Sequence, residues 1–105
     1  MILVYITFPD EKTATRVCET LIREKLAACA NIFPIRSIYR WKNKIEKARE
    51  HVALVKTSEK NYKKLEARVR GSHPYKLPAI FAIPVERGYK KYIKWAESAG
   101  DAGAA

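Results

Sequence analysis

The sequence has 105 residues, 48% hydrophobic and 30% charged, with a formal net charge of +10. That size bounds it to one domain, and the mix excludes a disordered polymer. A basic surplus attracts anions such as nucleic acid or phosphate ligands, or else makes a charge-rich soluble surface; Lys and Arg are spread over every segment, which favours the second reading.

Met1 runs straight into Ile2–Phe8, a β-branched and aromatic run that reads as a buried strand. No basic n-region precedes it, no small-residue cleavage site follows, and no apolar run approaches the ~20 residues of a membrane span. The expected location is the cytoplasm, where Cys18 and Cys29 would be free thiols. Pro9 breaks the strand, and Asp10 is suited to cap a helix. Ala14, Val17, Cys18, Leu21, Ile22 and Leu26 then recur at helical spacing and predict an inward face.

Ala28 to Trp41 reads as a second strand, with Pro34 marking an edge or a bulge. Lys42-Asn43-Lys44 is the turn, and Ile45 to Thr57 returns as the third strand. Ser58 is expected to cap a second helix whose Tyr62, Leu65 and Val69 face inward. A loop through His73-Pro74-Tyr75 leads to a fourth strand, Pro78 to Val85, apolar on both faces. Tyr89 to Glu97 forms a short last helix. The sequence thus divides into one domain, 1–97, and an Ala/Gly-rich tail, 98–105, expected to be flexible.

The order β-α-β-β-α-β with a C-terminal helix predicts a ferredoxin-like α+β fold, an antiparallel sheet with both main helices on one face. Two features predict self-association. An extended stretch of about 14 residues spans ~46 Å, whereas a domain of this length is ~33 Å across, so the hairpin must overhang its domain or bend at Pro34. The fourth strand is an edge strand in this fold, yet Ala79, Phe81 and Ile83 on one side and Ile80 and Ala82 on the other are all apolar. Such an edge needs a cover, and a neighbouring copy's hairpin is one. Tyr39, Trp41, Phe81 and Trp95 are the residues expected at that interface.

Chemistry-bearing residues are few. His73 is either a metal ligand or a loop histidine with structural hydrogen bonds. Cys29 is either a soft-metal ligand or a small hydrophobe, while Cys18 on the apolar helix face reads as core. His51 is a weaker candidate of the same kind. No Gly-rich phosphate loop or nucleophile motif is present, so the chain is not expected to be an enzyme. Arg36, Arg40, Lys42, Lys44, Lys47 and Arg49 crowd the hairpin with Tyr39 and Trp41 among them. Basic residues interleaved with aromatics can bind single-stranded nucleic acid, or can keep an exposed hairpin from aggregating. The RNA-recognition fold shares this element order but stacks bases on aromatics of its third strand, and Lys44 to Thr57 holds none. Nucleic acid is therefore not the expected partner.

Several short stretches in fixed order carry a resemblance: Phe8-Pro9-Asp10-Glu11; Glu24 through Asn31; Ser37-Ile38-Tyr39-Arg40-Trp41; Val55-Lys56-Thr57; His73-Pro74-Tyr75 with Pro78; then Tyr92 and Trp95. From Ile2 to about Trp95 the sequence resembles the CutA divalent-cation tolerance proteins. The resemblance implies a tight homotrimer, similar to that of the PII signalling proteins, with hairpins joining sheets between subunits. It also implies binding of copper or another divalent cation and a role in metal tolerance. Of the positions it associates with copper, His73 matches, while Ile6 and Ser72 occupy the other two. With Cys29, His73 forms the expected metal pair. A PII-like reading would instead place an anionic effector on Arg40, Lys56 and Arg87.

Overall fold

The computed structural model describes residues 1–101. The chain runs β1 (Ile2–Phe8), α1 (Glu11–Arg23), β2 (Cys29–Trp41), β3 (Lys44–Thr57), a 3-10 turn (Glu59–Asn61), α2 (Tyr62–Ser72), β4 (Ile80–Pro84) and α3 (Lys90–Glu97). The antiparallel sheet has the order β2-β3-β1-β4, as the ferredoxin-like reading requires.

Alternation along the strands sorts the side chains. Ile2, Val4, Ile6 and Phe8 of β1, with Ala53 and Val55 of β3, point toward the helices and are buried against Ala14, Val17, Cys18, Leu21, Leu65 and Val69. Cys18 is therefore core, and burial pushes its thiol pKa up to about 12. Asp10 caps α1 by accepting the Thr13 N–H at 2.7 Å. Ser58 does not cap α2. Its hydroxyl is buried without a partner among the described residues, and a 3-10 turn intervenes before Tyr62. Thr57 ties down the corner instead, donating to the Leu26 carbonyl at 2.7 Å and accepting from Asn61 Nδ2 at 3.3 Å.

The β2–β3 ladder keeps one register from Cys29↔Lys56 to Trp41↔Lys44. Pro34 makes no bulge. Trp41 and Lys44 flank a two-residue turn as a hydrogen-bonded pair, so alternation makes Pro34–His51 a non-hydrogen-bonded one, and the N–H that proline lacks would have faced the free edge. Lys42 and Asn43 both have positive φ, 50° and 64°, the signature of a type I′ turn. Lysine is poorly suited to that conformation. Replacing Lys42-Asn43 by Asn-Gly is expected to raise stability by about 0.5–1 kcal/mol, read from urea midpoints.

Because β1 ends at Phe8↔His51, both hairpin strands continue beyond the rest of the sheet. The molecule measures 49 × 26 × 22 Å, so the hairpin overhangs and does not fold back. β4 is shorter than expected. Pro84 has no N–H to donate, and the loop before Ile80 takes over the β1 edge, with the Thr7 N–H donating to the Ala79 carbonyl at 3.3 Å. Within the stretch read as a tail, Ser98 to Asp101 close the end of α3. The Gly100 N–H, at φ +82°, donates to the Trp95 carbonyl at 2.9 Å, and Asp101 pairs with Lys25. Residues 102–105 lie outside the described residues.

Candidate functional site

Two places collect chemistry-bearing side chains: the loop that closes the end of β1, and the opposite end of the sheet beneath α3.

The first is built on His73. The α2–β4 loop passes along the edge of β1, and the imidazole stacks on Phe8 with ring centroids 4.9 Å apart and planes at 16°. Nδ1 accepts the Tyr75 N–H at 3.0 Å. Nε2 lies 2.6 Å from the Thr7 carbonyl, and a carbonyl can only accept, so Nε2 carries the proton and the ring is neutral. Tyr75 reaches past the end of β1 and donates its hydroxyl to Glu50 Oε2 at 2.7 Å. Glu50 is buried at 8% exposure. Burial first, then the Glu50 bond and charge, hold the Tyr75 hydroxyl far above its ordinary range. His73 is pushed down by burial, against the opposing pull of the Thr7 carbonyl and Glu50.

That direction fixes a pH dependence. The unfolded imidazole protonates below ~6.5, whereas the folded ring resists until lower pH, so the unfolded state binds more protons in between and stability falls as pH drops through that window. Urea midpoints measured from pH 7.5 to 5 are expected to decline in the parent and to stay flatter in His73→Gln. Asp10 and Glu24, both held below the ordinary carboxylate range by hydrogen bonds from Thr13 and Arg68 respectively, act at more acidic pH.

At the second place Cys29 faces Lys56 across the ladder. Lys56 Nζ lies 5.4 Å from the Tyr92 ring centroid, and hydrogen bonding to Tyr92 raises the ammonium pKa. Cys29 is half-buried and free. Lys56 is level with Leu3, and His73 is bonded at Thr7, so about four residues of strand, ~13 Å, separate the expected ligands. One chain does not bring Cys29 and His73 together. Both His73 ring nitrogens are occupied, and the described residues hold no cluster of three or more His, Cys, Asp or Glu able to cage a metal. The donor set of a single chain thus does not fit a closed transition-metal site, which takes about four ligands. His51 is part-buried, with Nδ1 unpartnered among the described residues.

The PII-like anion set does not assemble within the chain either. Arg40 sits near the hairpin tip, opposite Ile45, while Lys56 lies at the far end of β3 and on the other face by alternation. The residues expected at an interface divide into two groups. Tyr39, Trp41 and Phe81 are 45%, 45% and 48% exposed, Phe81 stacking on Tyr5 at 4.8 Å. Trp95 is part-buried against Tyr92 and beneath Gly100. Sequence reasoning missed Glu50. A buried carboxylate reads like any surface charge until its tyrosine partner, distant in sequence, is placed beside it.

No helix among the described residues is long and apolar enough to cross a membrane. The family model for the CutA1 divalent ion tolerance protein matches residues 2–99. The divalent-cation tolerance protein CutA of Archaeoglobus fulgidus is 44% identical over 92 residues, covering 88% of this chain and 90% of that protein. The Pyrococcus horikoshii protein of the same name is 44% identical over 95 residues, covering 90% and 93%. Among solved structures, the periplasmic divalent cation tolerance protein CutA from Archaeoglobus fulgidus superposes with a TM-score of 0.91 at 40% identity, covering 96% of this chain and all of that one. The PII-like protein CutA from Nostoc does so with a TM-score of 0.89 at 27% identity, covering 95% and 97%. With this fold, this family match over nearly its whole length and these relatives, the chain belongs to the CutA1 divalent ion tolerance family.

Proposed function

We propose that this protein works as a cytoplasmic, non-catalytic homotrimer in divalent cation tolerance, taking up copper or another divalent cation weakly. Family membership supports the tolerance role. The observation that carries the assembly is the overhanging hairpin together with an apolar β4 edge, in which Phe81 is 48% and Ile83 42% exposed. Open edges of this kind are stable when another strand covers them.

His73 and Cys29 remain the proposed ligands, with one consequence of their geometry. Two different subunits would have to supply them, and a cation on Nδ1 would displace the Tyr75 N–H. Those costs fit weak binding. Equilibrium dialysis with Cu(II) and with Cu(I) tests the reading. Retention of at most about one cation per pair of candidate ligands, lost in His73→Gln with Cys29→Ser, is the expected result. Equal retention by the variant would overturn the ligand assignment, and no retention by the parent would overturn the metal role.

A further inference from the structure

The hairpin carries two unlike faces. Alternation places Tyr39 and Trp41 with Glu46 and Ala48 on the open face of the sheet, and Arg36, Ile38 and Arg40 with Ile45, Lys47 and Arg49 on the helix-side face. On that second face Arg36 stands directly opposite Arg49, and Ile38 opposite Lys47. The same alternation that excuses Pro34 makes Arg36–Arg49 a non-hydrogen-bonded pair, the closer kind, with Cα atoms about 4.5 Å apart. Like charges placed directly opposite each other destabilise a ladder.

Nothing among the described residues relieves this repulsion. Among the described residues, Arg36, Arg40, Lys47 and Arg49 make no ion pair or side-chain hydrogen bond; the ion pairs present lie elsewhere. Glu46, the nearest carboxylate on the outer hairpin, faces the other way, opposite Tyr39. Around the pair, Arg36, Ser37, Ile38, Lys47, Ala48 and Arg49 line an open depression of about 600 Å³.

We propose that this depression binds a small oligophosphate, a molecule with two or more linked phosphate groups. The guanidinium forks of Arg36 and Arg49 would each take a phosphate bidentately, with Lys47 and Arg40 adding point charge at the margin. Two linked phosphates match two neighbouring forks better than one does, and their charge removes the repulsion that the bare ladder carries. The site uses the face opposite Tyr39 and Trp41, so it does not depend on those aromatics.

Titration calorimetry and thermal unfolding with inorganic pyrophosphate, against sodium chloride matched for ionic strength, test the site. The parent is expected to bind pyrophosphate more tightly than orthophosphate and to gain a midpoint that rises with pyrophosphate concentration. Arg36→Gln with Arg49→Gln is expected to lose at least about tenfold in affinity while being no less stable than the parent without ligand, since it removes like charges and no contact. That ligand-free midpoint also shows that the variant folds. An equal pyrophosphate response in the variant, or no response of the parent beyond the salt control, overturns the proposal. Tighter binding of a single-stranded RNA than of pyrophosphate through the same two arginines overturns it too, because the ligand is then a polymer.

Discussion

Replacing His73 by alanine is expected to destabilise the protein by about 2–4 kcal/mol. The imidazole stacks on Phe8 at 4.9 Å, donates to the Thr7 carbonyl and accepts the Tyr75 N–H. A ring stack contributes about 0.5–1.5 kcal/mol, and each part-buried group left without its partner costs about 1–3 kcal/mol before water partly compensates. The loop that His73 fastens also places Tyr75 on Glu50, and freeing it would leave a buried carboxylate without its donor. His73→Gln should recover part of the loss by keeping a donor for Thr7, but not the stack. Urea unfolding at pH 7.5 reads both variants. A loss below about 0.5 kcal/mol for the alanine would show that the ring does not hold the loop, and would restore His73 as an unencumbered ligand candidate.

Local chemistry made much of this fold legible. The β1 limits, the Asp10 cap and the apolar face of α1 follow from rules that act within a few residues. So does the overhang, because strand rise multiplied by length exceeds the width of a small domain. Pro34 was legible as an edge marker, but parity along the ladder, which needs the turn type, decided between edge and bulge. Ser58 misled because a serine before a helical pattern is an ordinary cap signal, while here Thr57, fixed by Leu26 from across the sheet, sets the corner. Site chemistry was less legible for the same reason. His73 invited a choice between ligand and structural histidine that only Thr7 and Tyr75 could inform, and Thr7 is 66 residues away. The Arg36–Arg49 opposition was equally hidden, since a basic hairpin becomes a pair of facing guanidinium groups only once register is known.

The second large effect concerns assembly. In solution the parent is expected to sediment with the mass of three chains, and Trp41→Glu combined with Tyr39→Ser is expected to shift it toward the mass of one, with association weakened at least about a hundredfold. Both side chains are 45% exposed, and neither stacks on another ring among the described residues. Their removal therefore costs the isolated subunit little, whereas aromatic anchors at the centre of an interface commonly carry 2 kcal/mol or more each. Phe81→Asp is expected to act the same way from the β4 edge, but it also breaks the stack on Tyr5 at 4.8 Å, so circular dichroism must accompany it. If subunits pair hairpin against edge, either variant alone disperses the oligomer, and mixing the two does not restore it fully, because each supplies only one intact half of every contact. A parent that sediments as one chain would overturn the assembly outright. A hairpin variant that stays trimeric would move the contact from the overhang to the open face around Tyr5, Phe33 and Phe81, an apolar surface left exposed or half-buried by this fold.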